Sequence, residues 1–295
     1  MECCASCGVA EVDDIQLKDC DDCDLVKYCS DACQELHRPE HAGECKKRAA
    51  KLQDEILFKQ PESTHLGDCP ICCLPLPIDQ RKSTLTSCCS KYICKGCEYA
   101  NTKRELEGRL QLRCPFCRKV ESLTYEENIK HLMKRVEAND PAAMCEMGTG
   151  RYQRGDYNAA YEYFTRAAAL GDVQAHYQLS ALYHFGQGTE KDEKKQMHHL
   201  KEAAIGGHPG ARHTLGLMEQ RRLRMDRAAK HYIIAAKLGY DRSLECVKDL
   251  YKSLIINKED FAAALRGHHA AIKAARSAQR EEAAVILAEL ERRRV

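Results

Sequence analysis

From residue 124 to residue 295, apolar and small residues recur every three or four positions, the period of helices buried on one side. YEENIKHLMKRVEAND opens the region with Ile129, Leu132, Met133 and Val136 on one face. Asn139-Asp140 before Pro141 predicts a capped restart, because proline suits the first turn of a helix. The chain then repeats itself. AAMCEMGTGRYQRGDYNAAYEYFTRAAALGD aligns with AHYQLSALYHFGQGTEKDEKKQMHHLKEAAIGGH, and that with ARHTLGLMEQRRLRMDRAAKHYIIAAKLGYD. Gly171, Gly207 and Gly239 stand 36 and 32 residues apart, each after an Ala-rich helix end where a left-handed C-cap favours glycine. Each unit reads as helix, turn, helix. The pairs Ala167-Ala168, Ala203-Ala204 and Ala235-Ala236 let helices approach, while Phe164, Leu200 and Tyr232 fill between layers. A fourth, degraded unit spans Ser243 to Ala275, and QREEAAVILAELERRR predicts a capping helix with a charged outer face. Units that bury their apolar faces only against neighbours predict a right-handed α-solenoid. Earlier in the chain, KKRAAKLQDEILFKQ predicts a connecting helix ended by Pro61, with PESTHLGD as a short linker.

Ahead of the repeats the organising residue is cysteine. Of 19 cysteines, 17 fall before residue 118, leaving only Cys145 and Cys246 beyond it. The N-terminus MECCASCGVAEVDD carries no basic-then-apolar leader, and no run of about 18 apolar residues predicts a membrane span. CxxC pairs with an interspersed histidine favour zinc in a reducing compartment over disulfides, so cytoplasm or nucleus is expected. In the first cluster, Cys4, Cys7, Cys20, Cys23, Cys29, Cys33, His41 and Cys45 give spacings C-x2-C, C-x2-C, C-x3-C and H-x3-C. His41 and Cys45 share a helical face, and eight donors make two tetrahedral sites, although spacing alone does not say which pairs combine. Cys3 falls outside the spacing, and His37 fits less well than His41. In the second cluster the donors are Cys69, Cys72, Cys88, Cys89, Cys94, Cys97, Cys114 and Cys117, again two ions' worth, with Cys73 spare.

The Tyr28-Cys29, Cys33, His41 and Cys45 pattern resembles the MYND-type zinc finger. That resemblance implies interleaved sites, with Cys4, Cys7, Cys29 and Cys33 on one zinc and Cys20, Cys23, His41 and Cys45 on another. It also implies binding of short, often Pro-containing peptides. CPIC, SKYICKGC and CPFCR resemble RING fingers, specifically variants whose second zinc has only cysteine ligands. A cross-brace then implies Cys69, Cys72, Cys94 and Cys97 on a third zinc, and Cys88, Cys89, Cys114 and Cys117 on a fourth. Lys91 stands where most such fingers have a histidine, and a protonated amine cannot ligate. Cys88 and Cys89 must therefore serve one ion through a tight turn, or the site has three thiols and water. The repeat units resemble Sel1-like repeats, relatives of tetratricopeptide repeats, the second best through Leu179, Tyr183, Gly186, Gly188, Ala203-Ala204 and Gly207. The order of fingers and repeats is similar to that of a set of algal multidomain proteins.

These readings give two small zinc-stabilised finger domains followed by an all-α right-handed solenoid of Sel1-like, TPR-like repeats. The expected boundaries are a finger over 1–48, a helical connector over 49–66, a second finger over 67–122, repeats over 124–280 and a cap over 281–295. Hydrophobic content of 44% and charged content of 31% suit a globular chain, and a net charge of +2 with no long basic stripe gives no argument for nucleic acid, so no such partner is expected. The function expected is a zinc-binding scaffold for protein or peptide partners. The RING resemblance implies the alternative of a ubiquitin-protein ligase, which orients a conjugating enzyme and performs no covalent chemistry itself. Ile71, Pro115 and Arg118 match the contact positions, whereas Asn101 stands at the tryptophan position of many active members. Adjacent helical histidines diverge by about 100°, so His198-His199 and His268-His269 are not expected to bind metal. Cys145 and Cys246 are expected as small apolar groups.

Overall fold

A short hairpin starts the chain: β1 (Lys18–Asp19) pairs antiparallel with β2 (Lys27–Tyr28), with Lys18 opposite Tyr28. The tight reversal between them carries Cys20 and Cys23. Helix α1 (Asp31–Leu57) follows, capped by Ser30, whose side chain accepts from the Cys33 N–H. Its buried residues are His41, Cys45 and Leu57, so two of its three anchors are metal-donor side chains and not apolar ones. The computed structural model describes residues 2–12, 14–121 and 124–293, and the chain divides into two compact units, Met1–Lys59 and Gln60–Val295. Residues 49–57, the start of the expected connector, continue α1 without a break.

The second unit opens with a strap. The His65 N–H donates to Gly207 O at 3.2 Å, and its ring stacks on His208, which stacks on Tyr177. Residues 60–66 are thus held on the repeats, not left as a free linker. Burial lowers the His65 pKa to about 4, so its ring stays neutral in that stack. Strands β3 (Ser83–Leu85) and β4 (Tyr92–Cys94) then pair antiparallel, with Thr84 opposite Ile93, and lead into α2 (Lys95–Glu107).

The repeats are helix pairs of uniform length. Helices α3 (Tyr125–Glu137), α4 (Pro141–Gln153), α5 (Tyr157–Ala169), α6 (Val173–Phe185), α7 (Glu193–Ile205), α8 (Pro209–Arg221) and α9 (Met225–Lys237) have 13 residues each. The start signals are polar caps: Asp140, Asp156, Asp172 and Asp192 accept from N–H groups of the first turn of α4, α5, α6 and α7. Just past three helix ends, Gly171, Gly207 and Gly239 have φ of +84°, +83° and +92°, a conformation that most side chains resist.

In two of the pairs, α4–α5 and α8–α9, a glycine on one helix faces a large ring on the other. A Cβ on Gly148 would lie 2.7 Å from the Phe164 ring, and one on Gly216 would lie 2.5 Å from Tyr232. Phe164, Leu200 and Tyr232 are almost fully buried, with Ala167, Ala203 and Ala235 beside them in sequence equally so. Helices α10 (Asp241–Lys252) and α11 (Lys258–Ala274) both pack on α9 and close the stack around Tyr232, Val247 and Ala264.

The last helix departs from expectation. Helix α12 (Ala278–Arg292) packs on α2 of the second finger in place of capping the repeats, because its inward residues meet Gly96 and the loop after Cys72. Residues 294 and 295 of the expected cap lie outside the described residues. The second finger and the repeats therefore share one compact unit.

Truncating a large residue in this stack removes contacts and leaves a void. Phe164→Ala is expected to destabilise the repeats by about 3–5 kcal/mol, read as a lowered midpoint in thermal or denaturant unfolding. The zinc content of the folded protein is expected to stay unchanged.

Candidate metal centres

Three CxxC turns share one build. In each, the first cysteine's N–H donates to a carbonyl five residues on: Cys4 to Val9 at 2.8 Å, Cys69 to Leu74 at 2.9 Å, and Cys114 to Lys119 at 2.7 Å. The residue after the second cysteine turns left-handed and donates back to the first cysteine's carbonyl. Gly8, Cys73 and Arg118 hold these places with φ of +77°, +54° and +62°. The turn points both sulfurs the same way and aims backbone N–H groups at them. Burial pushes the Cys4 and Cys69 thiols up, yet those N–H groups outweigh it. They hold Cys4 at about 6 and Cys69 at about 7, below the ordinary 9.0 and toward the thiolate a metal needs. The fourth turn, Cys20–Cys23, sits in the β1–β2 hairpin, and the fifth, Cys94–Cys97, starts α2.

The structure brings the donors into four groups: Cys4, Cys7, Cys29 and Cys33; Cys20, Cys23, His41 and Cys45; Cys69, Cys72, Cys94 and Cys97; Cys88, Cys89, Cys114 and Cys117. Within each group all donor atoms lie within 4.8 Å of one another. Representative sulfur separations are 3.6 Å for Cys7–Cys29, 3.8 Å for Cys20–Cys45, 3.8 Å for Cys72–Cys94 and 3.4 Å for Cys88–Cys117. Tetrahedral zinc with sulfur at about 2.3 Å spaces its sulfurs about 3.8 Å apart. Disulfide sulfurs lie about 2.05 Å apart, far closer than these pairs. In the second group the His41 Nε2 lies 3.1 Å from Cys23 Sγ. The donor sets thus fit four zinc ions. Each supplies four protein ligands, which leaves no position for a reacting water.

The turn that Cys88 and Cys89 require is present. Ser90 takes φ of +52° and its N–H donates to Thr86 O, while the Thr86 N–H donates to Lys91 O. The two adjacent thiols then reach different partners, Cys88 toward Cys117 and Cys89 toward Cys114 at 3.9 Å. Lys91 shapes this turn through its backbone.

Other candidate residues lie apart. His37 shares a 3.0 Å hydrogen bond with the Tyr28 hydroxyl and stacks on His41 without joining the donors. Cys3 and Cys73 are exposed, Cys145 is buried and Cys246 half-buried. His199 pairs with His176 at 2.9 Å and His268 with Asp241 at 2.8 Å, so neither histidine pair converges on an ion. Among the described residues, these four groups are the sets of three or more converging donors.

Ile71 is 41% exposed, and Phe116, next to Pro115 in sequence, 43%. Arg118, with its side chain 45% exposed, lays its guanidinium back on α2. It donates to Glu105 Oε1 and to Asn101 Oδ1, both at 2.8 Å. Glu105 is fully buried; burial raises its pKa, but the Arg113 N–H and the Arg118 guanidinium win and hold the carboxyl below the usual range. Asn101 also donates to Arg113 O at 2.8 Å, tying α2 to the last CxxC turn. The sequence alone did not reveal this Glu105–Arg118–Asn101 bridge, whose carboxylate and amide are buried while the guanidinium is partly exposed. Its only sequence signal is that Asn101 and Glu105 lie four residues apart, on one helical face.

Family models match the first finger and the repeats. Residues 4–45 match the MYND finger, and residues 141–172, 173–208 and 224–240 match the Sel1 repeat. "Uncharacterized protein NMB1327" of Neisseria meningitidis serogroup B is 32% identical over 90 residues, 28% of this chain and 18% of that protein. "DAP3-binding cell death enhancer 1" of Rattus norvegicus is 31% identical over 77 residues, 26% of this chain and 15% of that protein. The chain therefore matches under a fifth of either relative's length. Among solved structures, a Sel1 repeat protein from Oxalobacter formigenes is similar with 21% identity and a TM-score of 0.45, covering 59% of this chain and 71% of that one. The protective antigen c5321 of uropathogenic Escherichia coli gives 21% identity and a TM-score of 0.41, covering 58% and 37%. The chain combines zinc-finger modules with a helical-repeat array, the build of a zinc-binding protein-interaction scaffold. No helix of the described residues is long and apolar enough to cross a membrane.

Two outcomes follow. Elemental analysis of the purified chain is expected to give four zinc ions, and three for Cys88→Ser, since among the described residues that group consists of four donors and no fifth. Arg118→Ala takes from the buried Glu105 its 2.8 Å cation and leaves only Arg104, at 3.5 Å. It is expected to destabilise the second unit by about 1–3 kcal/mol in denaturant unfolding, with Arg118→Lys recovering part of the loss.

Proposed function

We propose that this protein is a zinc-assembled scaffold that holds two protein-binding surfaces, one on the first finger and one on the repeats. The observation that carries the reading is the closed donor set at all four centres: metal filled to four protein ligands builds structure and has no place to activate a substrate. Any function must then lie on the surfaces the ions hold in shape. For the MYND finger the ligand class is a short, proline-containing peptide. For the repeats it is a segment of a partner protein. The cytoplasm or nucleus suits thiol-ligated zinc. Its test is saturable binding of the zinc-loaded chain to a peptide array. Proline-containing hits are expected to need zinc, whereas repeat ligands survive its removal; an array with no saturable hit overturns the reading.

A second reading has its own support. The second finger resembles the RING type, and its exposed Ile71 and Phe116 lie at or beside positions that contact a conjugating enzyme in that family. Ubiquitin transfer through Ile71, Pro115 and Arg118 is the finer proposal. The Arg118 bridge to Glu105 makes substitution of Arg118 a poor probe, because lost activity and lost structure coincide. Autoubiquitination across a panel of conjugating enzymes, with Ile71→Ala as the control, separates them. Product from the wild type and its loss in Ile71→Ala support the ligase; no product from zinc-loaded wild type across the panel removes it.

A further inference from the structure

Helix α12 reaches the second finger through a side chain outside the ligand sets. Arg280 donates from Nη1 to Pro75 O at 2.7 Å and to Ala275 O at 2.8 Å. From Nη2 it donates to Leu74 O at 3.1 Å and to Cys72 Sγ at 3.3 Å. The Leu74 carbonyl is also the one that the Cys69 N–H closes on to form its turn. One guanidinium thus grips a donor sulfur and the backbone that shapes that sulfur's turn. Around it, Gln279 donates to Gly96 O at 3.1 Å, and Lys103 pairs with Glu282 at 3.1 Å. Helix backbone and finger touch here: a Cβ on Gly96 would meet the Arg280 Cα at 3.0 Å.

We propose that Arg280 is a positioning residue for the Cys69, Cys72, Cys94 and Cys97 zinc site, and that α12 is a metal-dependent latch docked through it. This rests on the zinc reading above. An ion held by four thiolates carries net negative charge, and a guanidinium beside one sulfur offsets it and fixes the sulfur's direction. Without the ion, the Cys72 sulfur is no longer fixed beside the guanidinium, and the Cys69–Leu74 turn that Arg280 reads is held by its backbone hydrogen bonds alone. The coupling is reciprocal: whatever binding free energy zinc lends to docking, docking lends to zinc. Arg280 and Glu281 also line a cleft of about 1290 Å³ with Pro77, Ile78, Tyr240 and Arg242. Release of α12 removes one wall of that cleft, so occupancy of this one ion sets the shape of the surface around it.

The experiment compares wild type, Arg280→Met and Arg280→Lys, each first shown to carry four zinc ions. Zinc release to a chelator is timed while thiol alkylation and mass spectrometry identify which cysteines become free. Arg280→Met is expected to speed release from Cys69, Cys72, Cys94 and Cys97 by about 10- to 100-fold, with the other three centres unchanged and Arg280→Lys intermediate. Hydrogen exchange over residues 278–292 is expected to rise in that variant. It should rise equally in unsubstituted protein once this ion is stripped, while α4 to α9 keep their protection. Wild-type release rates in Arg280→Met, or exchange over 278–292 indifferent to zinc, would overturn the proposal while leaving the scaffold reading intact. A chain that takes up no zinc overturns both.

Discussion

Sixteen donors gathered into four tight groups are the constraint from which the front of this molecule follows. Thiols at such spacing gain little from one another, and thiolates repel. An ion that all four donors face turns that arrangement into the most stabilising interaction within reach. The local structure serves it. Three CxxC turns spend a left-handed residue, twice a non-glycine one, to aim paired sulfurs. The strands of the two hairpins are only two and three residues long, too short to stand alone. In α1, two of three buried residues are donors, so that helix is anchored by ligation more than by apolar area.

The repeats solve the opposite problem with ordinary packing. Small residues at Gly148 and Gly216 admit Phe164 and Tyr232, aspartates cap successive helices, and glycines past the helix ends reverse the chain. The two systems meet inside the second unit. The strap at His65, the Ser87–Asn128 hydrogen bond and the Arg280 contacts make the second finger a part of the repeat body and not a bead on a linker.

Much of this was legible in the chain. The helix pairs announced themselves because each depends on local period, caps and glycines. The donors were visible from spacing, but the interleaved grouping needed family resemblance, since it joins residues 22 to 25 apart through tertiary geometry. What stayed hidden is long-range. Nothing near α12 says that its partner is α2, about 180 residues earlier, because a helix with charged flanks suits either surface. Arg118 matched a contact position by sequence, and only tertiary structure pairs it with Glu105. Lys91 was a departure from the RING pattern that the Thr86–Ser90 turn absorbs.

Captured metal holds the fingers together, and removing it is the direct test. Hydrogen exchange is measured on the full chain before and after stripping by a strong chelator under reducing conditions. Amides of residues 2–57 and 67–121 are expected to lose protection, while α4 to α9 keep theirs. Fingers that stay protected and metal-free would contradict that role of the metal.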